Sequence, residues 1–272
     1  MFTLYVVATP IGNLEDISLR ALRILRTVRL IAAEDTRKTR ILLNAYDIKT
    51  PLTSYHEHNK YAKLDYLLRF LSETGDVAVV SEAGTPGISD PGHELIVAAD
   101  RQGMPIVPIP GASVVVTAVA VSTLPTERFT FLGFMPRRPG DRRQLLKSVI
   151  GDPGTLVILE APHRLQDTLS DLLSTLGDRR IAVCRELTKI HEEVFRGRIS
   201  EAVDRFTEPR GEFTLVVEGR TASEKPGLTG DVERRLREMR LAGMTAREAI
   251  SRISSDTGLA RKDLYRAWLR LG

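Results

Sequence analysis

Read for the alternation of apolar and polar positions, the chain changes character near residue 125. Before it, near-continuous apolar runs alternate with amphipathic stretches, the pattern of β-α units wound around a mainly parallel sheet. Residues 3–8, 29–33, 51–54, 76–81 and 105–109 read as strands. Residues 18–26, 37–44, 60–73 and 93–102 read as helices, and a fifth helix starts near Ala112. Ser18 and Thr36 stand ahead of apolar repeats as N-cap candidates. After Pro125, strands at 129–133, 155–160, 179–185, 192–196 and 212–218 are separated by fewer, shorter helices, and consecutive strands predict a mixed sheet. Residues 220–227 read as a linker, and the tail beyond is helical in pattern. The expected organisation is an α/β domain over 1–122, a second over 123–220 and a helical extension over 228–272.

Composition narrows the class. With 42% apolar, 27% charged and 6% aromatic residues in 272, disordered, collagen-like and coiled-coil readings fail. The single cysteine, Cys184, forms no intrachain disulfide and supplies no zinc cluster, which suits a reducing compartment. The opening run MFTLYVVATP lacks a basic flank and a cleavage pattern, and the longest weakly polar run, 114–124, is too short for a bilayer. A cytoplasmic protein without a membrane partner is expected. The net charge of +4 lies entirely in residues 228–272, which carry ten basic and six acidic side chains. A positive tail suits an acidic partner, although a solvated helix surface carries such an excess too.

In an open α/β sheet, ligands bind beyond the carboxyl ends of the strands. Every unusual stretch of the first domain falls there: ATPIGN (8–13), AEDTR (33–37), SYHEHN (54–59), SEAGTPGISDPG (81–92) and PIPGAS (108–113). SEAGTPGISDPG is the strongest signal, because its three glycines and two prolines set a tight path and let backbone approach a ligand. Its bland alternative is a helix-entry turn capped by Ser89 or Asp90. No GxGxxG follows the first strand and no GxxxxGK[ST] occurs, which argues against a nicotinamide dehydrogenase and a nucleoside triphosphatase. Glu34 and Asp35 could hold a proton or orient a hydroxyl, or form an exposed ion pair at a helix start. His56 and His58 lack a third ligand motif, so no metal is expected.

The second domain repeats the pattern with a basic accent. FMPRRPGDRR (134–143) carries Arg137, Arg138, Arg142 and Arg143, EAPHR (160–164) follows the next strand, and CRELTK (184–189) the third. This rim suits a polyanion, or is a solvated loop. Lys189 and Glu186 are catalytic candidates, or simply pair with each other. In the tail, residues 245–269 have a helix–turn–helix rhythm, with Ser255 and Gly258 marking the turn and Arg261, Lys262, Arg266 and Arg270 on the second helix. Phosphate contact and a plain helical hairpin both remain open.

Eight stretches, LYVVATPIGNLEDISLRAL, AAEDTRKT, SYHEHN, VVSEAGTPGISDPG, PIPGAS, EAPHR, CRELTK and GEFTLVVEG, closely resemble the bacterial small-subunit ribosomal RNA 2′-O-ribose cytidine methyltransferase family of the tetrapyrrole methylase group. The likeness runs in order from Leu4 to about Gly219, and the final helical segment resembles that family's helix–turn–helix extension. It implies a two-domain, class III S-adenosylmethionine methyltransferase fold with the cofactor in the cleft between the domains, and a homodimer. It also implies 2′-O-methylation of a cytidine in the decoding region of small-subunit rRNA in the 30S ribosomal subunit. Porphyrin-precursor members of the group carry a GxGPGD-like first loop, where this chain has ATPIGN, a departure that points to the rRNA branch.

By motif, the resemblance assigns cofactor contacts to Pro10, Gly84, Thr85, Ile88, Ser89, Ala112 and Ser113, and in the second domain to Leu159, Leu187, Phe213 and Thr214. Lys189, Glu186, Asp35 and Glu160 are candidates for the base or cation that helps a poor ribose nucleophile. Arg137, Arg138, Arg142, Arg143, Arg164, Arg261, Lys262 and Arg266 are expected to meet RNA. Two other readings stay open: a small-molecule methyl acceptor on the same fold, and a non-catalytic nucleic-acid-binding protein.

Overall fold

The computed structural model describes residues 1–220 and 230–270. Nearly all of the linker read at 220–227, and the expected start of the extension at 228, lie outside the described residues. Five short apolar runs become β1 (Leu4–Val7), β2 (Leu30–Ala33), β3 (Leu52–Ser54), β4 (Val77–Val80) and β5 (Ile106–Ile109). They form one wholly parallel sheet in the order β3-β2-β4-β1-β5. Alternate residues feed opposite faces, as the period of two requires. Val7, Ile31 and Ala78 meet Leu22 and Leu25 of α1 (Leu19–Thr27) and Leu42 and Leu43 of α2 (Thr36–Ala45). Leu4, Ala32 and Val79 meet Leu67 and Leu71 of α3 (Lys60–Glu73) and Leu95 and Ala99 of α4 (His93–Arg101). Each fully buried leucine contributes about 1.5–3 kcal/mol of transfer free energy.

Ser18 caps α1, accepting the Ala21 N–H at 3.1 Å. The other expected cap is displaced by one residue. Asp35, not Thr36, caps α2, because its carboxylate is longer and accepts the N–H groups of both Arg37 and Lys38, at 2.8 and 3.2 Å.

A second sheet is mixed, in the order β6-β7-β10-β8-β9, formed by β6 (Phe129–Phe134), β7 (Thr155–Glu160), β8 (Arg180–Arg185), β9 (Glu193–Arg198) and β10 (Phe213–Val217). Only β6 and β7 pair in parallel. One face packs on α6 (Pro139–Ser148), α7 (Leu165–Leu176) and α8 (Ile199–Arg205). The other face receives α5 (Val114–Val121), whose Ala118 and Val119 join Val157, Ala182, Cys184 and Val216 in a shared apolar seam. Both sheets therefore belong to one compact unit, residues 1–150 and 154–218.

The basic stretch 134–143 is not all loop. Pro139 presets the first helical φ, so α6 begins inside it and turns Arg142 inward. Residues 151–153 and 219–272 belong to a second unit. Its helices α9 (Gly230–Leu241), α10 (Ala246–Thr257) and α11 (Arg261–Arg270) bury Leu236, Ile253, Leu264 and Trp268 together. The turn is shorter than the sequence suggested. Ser255 stays inside α10, and Gly258 alone ends it in the left-handed conformation. Among the described residues no helix is long and apolar enough to cross a membrane.

Candidate active site

Because all five strands of the first sheet run the same way, the loops after them gather on one edge. The chain after β1 and the chain after β4 pair there. Thr9 and Gly84 exchange backbone hydrogen bonds of 2.9 and 3.0 Å. Gly84 takes φ +77°, which favours glycine, and a Cβ on it would stand 3.9 Å from the Ala112 carbonyl oxygen. Loops 81–92 and 108–113 are therefore neighbours. Ser89 reaches across to the second sheet, since a Cβ on Gly133 of β6 would lie 3.4 Å from its Oγ. The two sheets thus flank a common cleft.

Beside this junction lies a cavity of about 210 Å³. Pro10, Ile11 and Gly12 line it with Lys38, Glu82, Lys189 and Glu212. The second-sheet wall is a constrained turn, with Glu186 at φ +50° and Thr188 at φ +68°, positions costly for residues with a Cβ. Several bonds hold it. Glu186 accepts the Glu212 N–H at 2.8 Å, and Glu192 accepts the Thr188 N–H at 2.5 Å. Lys189 donates to Glu186 at 2.9 Å and to Glu212 at 2.8 Å. Burial alone would depress the Lys189 ammonium, but the two carboxylates outweigh it and raise its pKa above the ordinary value. Glu186, for its part, is opposed by burial, yet Lys189 and the Glu212 N–H keep it below the usual carboxylate range. The Oγ1 of Thr188 is buried without a partner among the described residues.

Gly12 is where the turn meets the first lobe. A Cβ there would come within 2.5 Å of Lys189 Cγ, 2.8 Å of Thr188 Oγ1 and 3.1 Å of the Leu187 carbonyl. Glu34 and Glu82 crowd the other side of the edge, where Glu34 accepts the Glu82 N–H at 3.0 Å and Lys38 pairs with Glu82. Half-buried Asp90 joins them. Burial first, then the charge of Glu34, pushes its carboxyl up to about 7, while a Ser81 hydrogen bond works the other way. Ser89 and Asp90 do not cap the next helix, because α4 starts after Gly92.

The structure brings Pro10, Gly84, Ala112, Leu187 and Lys189 to the cleft region, and leaves Thr85, Ile88 and Ser89 exposed at its edge. Ser113 is the N-cap of α5 and makes no side-chain cap bond. Leu159 and Thr214 are register partners on the face of the second sheet turned to α5. Phe213 has the opposite parity. Its ring stacks edge-on against Phe206 at 5.7 Å in the far core, so only its backbone is available to a ligand in the cleft.

Three charged candidates prove to be internal struts. Glu160 is 2% exposed and accepts from Thr168 at 2.6 Å while pairing with Arg164. Arg164 also donates to the Met135 carbonyl at 2.9 Å, which takes it away from phosphate contact. Arg142 is 3% exposed, bound to Asp171 at 2.6 Å, and is no surface group at all. Asp35 spends its carboxylate on the α2 cap, and those N–H groups, Arg37 first, hold its pKa below the ordinary value. Arg137, Arg138, Arg143, Arg261, Lys262 and Arg266 are exposed. Reading the sequence missed Glu212, Gly12 and Thr188. The signal for Glu212 was its place one residue before β10, but only the β10–β8 register sets it against Glu186.

The family model for tetrapyrrole (corrin/porphyrin) methylases matches residues 3–203. The chain belongs to the tetrapyrrole methylase family. Among its relatives, a protein named ribosomal RNA small subunit methyltransferase I from Halalkalibacterium halodurans is 47% identical over 97% of this chain and 93% of its own. The protein of the same name from Thermotoga maritima is 48% identical over 81% of this chain and all of its own length. The solved diphthine synthase superposes with a TM-score of 0.63 at 14% identity, covering 81% of this chain and 91% of that one. Uroporphyrin-III C-methyltransferase from Thermus thermophilus does so at 0.57 and 22%, covering 79% and 94%. These two likenesses concern the fold.

Proposed function

We propose that this tetrapyrrole methylase uses S-adenosylmethionine to methylate a cytidine 2′-hydroxyl in the decoding region of small-subunit rRNA. The relatives' common name supports the rRNA class, and the ATPIGN loop in place of a GxGPGD-like one favours it over a tetrapyrrole. The observation that carries the reading is the cavity wall of Gly12, Lys189 and Glu212, which sets one protonated, rigidly held ammonium against the glycine-rich junction of loops 8–13 and 81–92.

The residues present fit the cofactor. Ser113 leaves the first-turn N–H groups of α5 without a side-chain cap, a natural place for a carboxylate. Gly84 and Ala112 offer backbone, while Leu159, Leu187 and Thr214 offer a largely apolar wall. When bound, S-adenosylmethionine supplies an electrophilic methyl group on a sulfonium. The protein's part is to hold the ribose hydroxyl in line and exclude water. Lys189 is not the base, because two carboxylates keep it protonated. Its positive charge instead favours the negative charge that develops on the 2′-oxygen as the hydroxyl proton passes to solvent at the mouth of the cleft. Glu186 and Glu212 fix that ammonium in place. Arg137, Arg138 and Arg143, with Arg261, Lys262 and Arg266 of the tail, are available to RNA phosphates.

Incubating the protein with labelled S-adenosylmethionine and unmodified small subunits, then digesting the rRNA, tests the reading. The expected product is 2′-O-methylcytidine at one position. Label in another nucleoside, or none in RNA, overturns it.

A further inference from the structure

At the amino end of β8, away from the Lys189 turn, two arginines face each other. Arg180 of β8 and Arg198 of β9 are direct antiparallel partners, and Arg196 lies two residues back on the same face of β9. β9 is the edge of its sheet. Like charges placed directly opposite on a sheet are destabilising, so this arrangement costs stability unless something negative comes between them. The three side chains border a hollow of about 390 Å³, closed on the other side by the turn Ser122–Thr123–Leu124.

The guanidinium groups are positioned by neutral partners. Arg196 donates from Nε and Nη2 to the Val121 carbonyl at 2.9 and 2.6 Å, Arg198 to the Asp178 carbonyl at 2.7 Å and Arg180 to the Thr123 carbonyl at 3.4 Å. Carbonyls orient a guanidinium without cancelling its charge. Three guanidinium groups line the hollow against one carboxylate, that of Glu201, so positive charge is in excess there. Glu201 accepts the Arg198 backbone N–H at 2.7 Å, and Asp178 accepts from the Ser200 N–H and hydroxyl at 2.9 and 3.0 Å. Glu218 stands 3.7 Å from Arg180 and neutralises part of one charge. The groove therefore keeps an excess of positive charge on planar groups suited to phosphate oxygens.

We propose that the Arg180–Arg196–Arg198 groove binds phosphodiester groups of the RNA, as a backbone anchor separate from the cleft. It rests on the rRNA reading above. β8 spans six residues, so the groove lies about 17 Å along the strand from the turn that carries Lys189. A flanking RNA strand held there fixes the position of the acceptor nucleotide without being read for its bases.

The test is fluorescence anisotropy of a labelled small-subunit rRNA fragment across a salt series, with three variants. R180Q/R198Q is expected to weaken binding about tenfold and to flatten the plot of log affinity against log salt by about one to two. Its calorimetric affinity for S-adenosylmethionine stays at the wild-type value, and its thermal midpoint is equal or higher because the like-charge pair is gone. R180K/R198K keeps the charge and is expected to keep the salt slope. E218Q frees Arg180 and is expected to tighten binding, a readout that survives even if the glutamine pair fails to fold. Wild-type affinity and slope in R180Q/R198Q overturn the anchor, as does an equal flattening of the slope in R180K/R198K, or unchanged binding in E218Q should the glutamine pair not fold. Methyl transfer to small subunits by the wild-type protein in the same preparation separates the cases. If transfer occurs and the variants bind normally, the groove assignment alone fails. If no transfer occurs, the rRNA reading fails and the anchor falls with it.

Discussion

The two sheets build the two sides of the cleft by different means. The first sheet uses backbone: parallel strands deliver loops in register, and Gly84, Gly87 and Gly92, all at positive φ, bend loop 81–92 back onto itself and onto the end of β1. The second sheet uses charge: Lys189 between two glutamates, Glu160 against Arg164, Arg142 against Asp171. The difference teaches that charged residues near a site are often spoken for. Of the arginines counted along the basic rim, Arg142 and Arg164 brace the second lobe from within, and only the exposed remainder can reach a polyanion.

The sharpest way to break this comparison is to remove a strut. Arg142→Met leaves Asp171 buried with, among the described residues, only Arg143, at 3.7 Å, to compensate. Urea denaturation is expected to show a loss of about 3 kcal/mol, the cost of an uncompensated buried charge. RNA affinity of the folded protein is expected to stay unchanged. A matching loss of RNA affinity at full stability would make Arg142 a binding group after all.

Next in size comes the clamped ammonium. Lys189→Gln is expected to lower kcat about 100-fold, the scale of removing one group that stabilises developing charge, while cofactor affinity by calorimetry stays within a few-fold. A variant that lost cofactor binding instead would move Lys189 from the chemistry to the cofactor. Smaller again is the backbone side of the cleft. Gly12→Ala pushes a methyl group into the Leu187–Lys189 turn, and kcat/KM is expected to fall about tenfold through misplacement, with the thermal midpoint lowered as the turn gives way. Unchanged kinetics would show that the turn and Gly12 need not meet.

The smallest effect is a pH slope. Asp90 has its carboxyl pKa pushed up to about 7 against an ordinary 3.8, so the fold disfavours its charged form. Stability that this carboxyl contributes when neutral is therefore lost as pH rises from about 4 through 7. Asp90→Asn removes that loss. Its thermal midpoint is expected to exceed wild type by about 2–4 °C at pH 8, and by less at pH 5. A constant offset between the two pH values would assign the effect to something other than this titration.

Much of the site was legible because it is made of local backbone. Loops 81–92 and 108–113 announce themselves by glycine and proline, and a parallel sheet leaves them only one edge to occupy. The charged half was legible in residue types but not in roles. Glu212 stands 23 positions from Lys189 and meets it only because β10 pairs with β8. Phe213 looked like a contact beside Thr214, yet a strand sends successive side chains to opposite faces, and the pairing decides which face is the cleft. Asp35 displaced Thr36 as a cap by one position, a difference set by which side chain reaches the free N–H groups of the first turn.

By itself, then, the order of residues determined the parallel first sheet, the mixed second one, the helical tail and the edge where the glycine-rich loops gather, since these follow from hydrophobic period and strand direction. Which charges face a ligand and which face one another was decided only by tertiary structure. Ion pairs between distant segments depend on register and helix facing, quantities that no single segment contains.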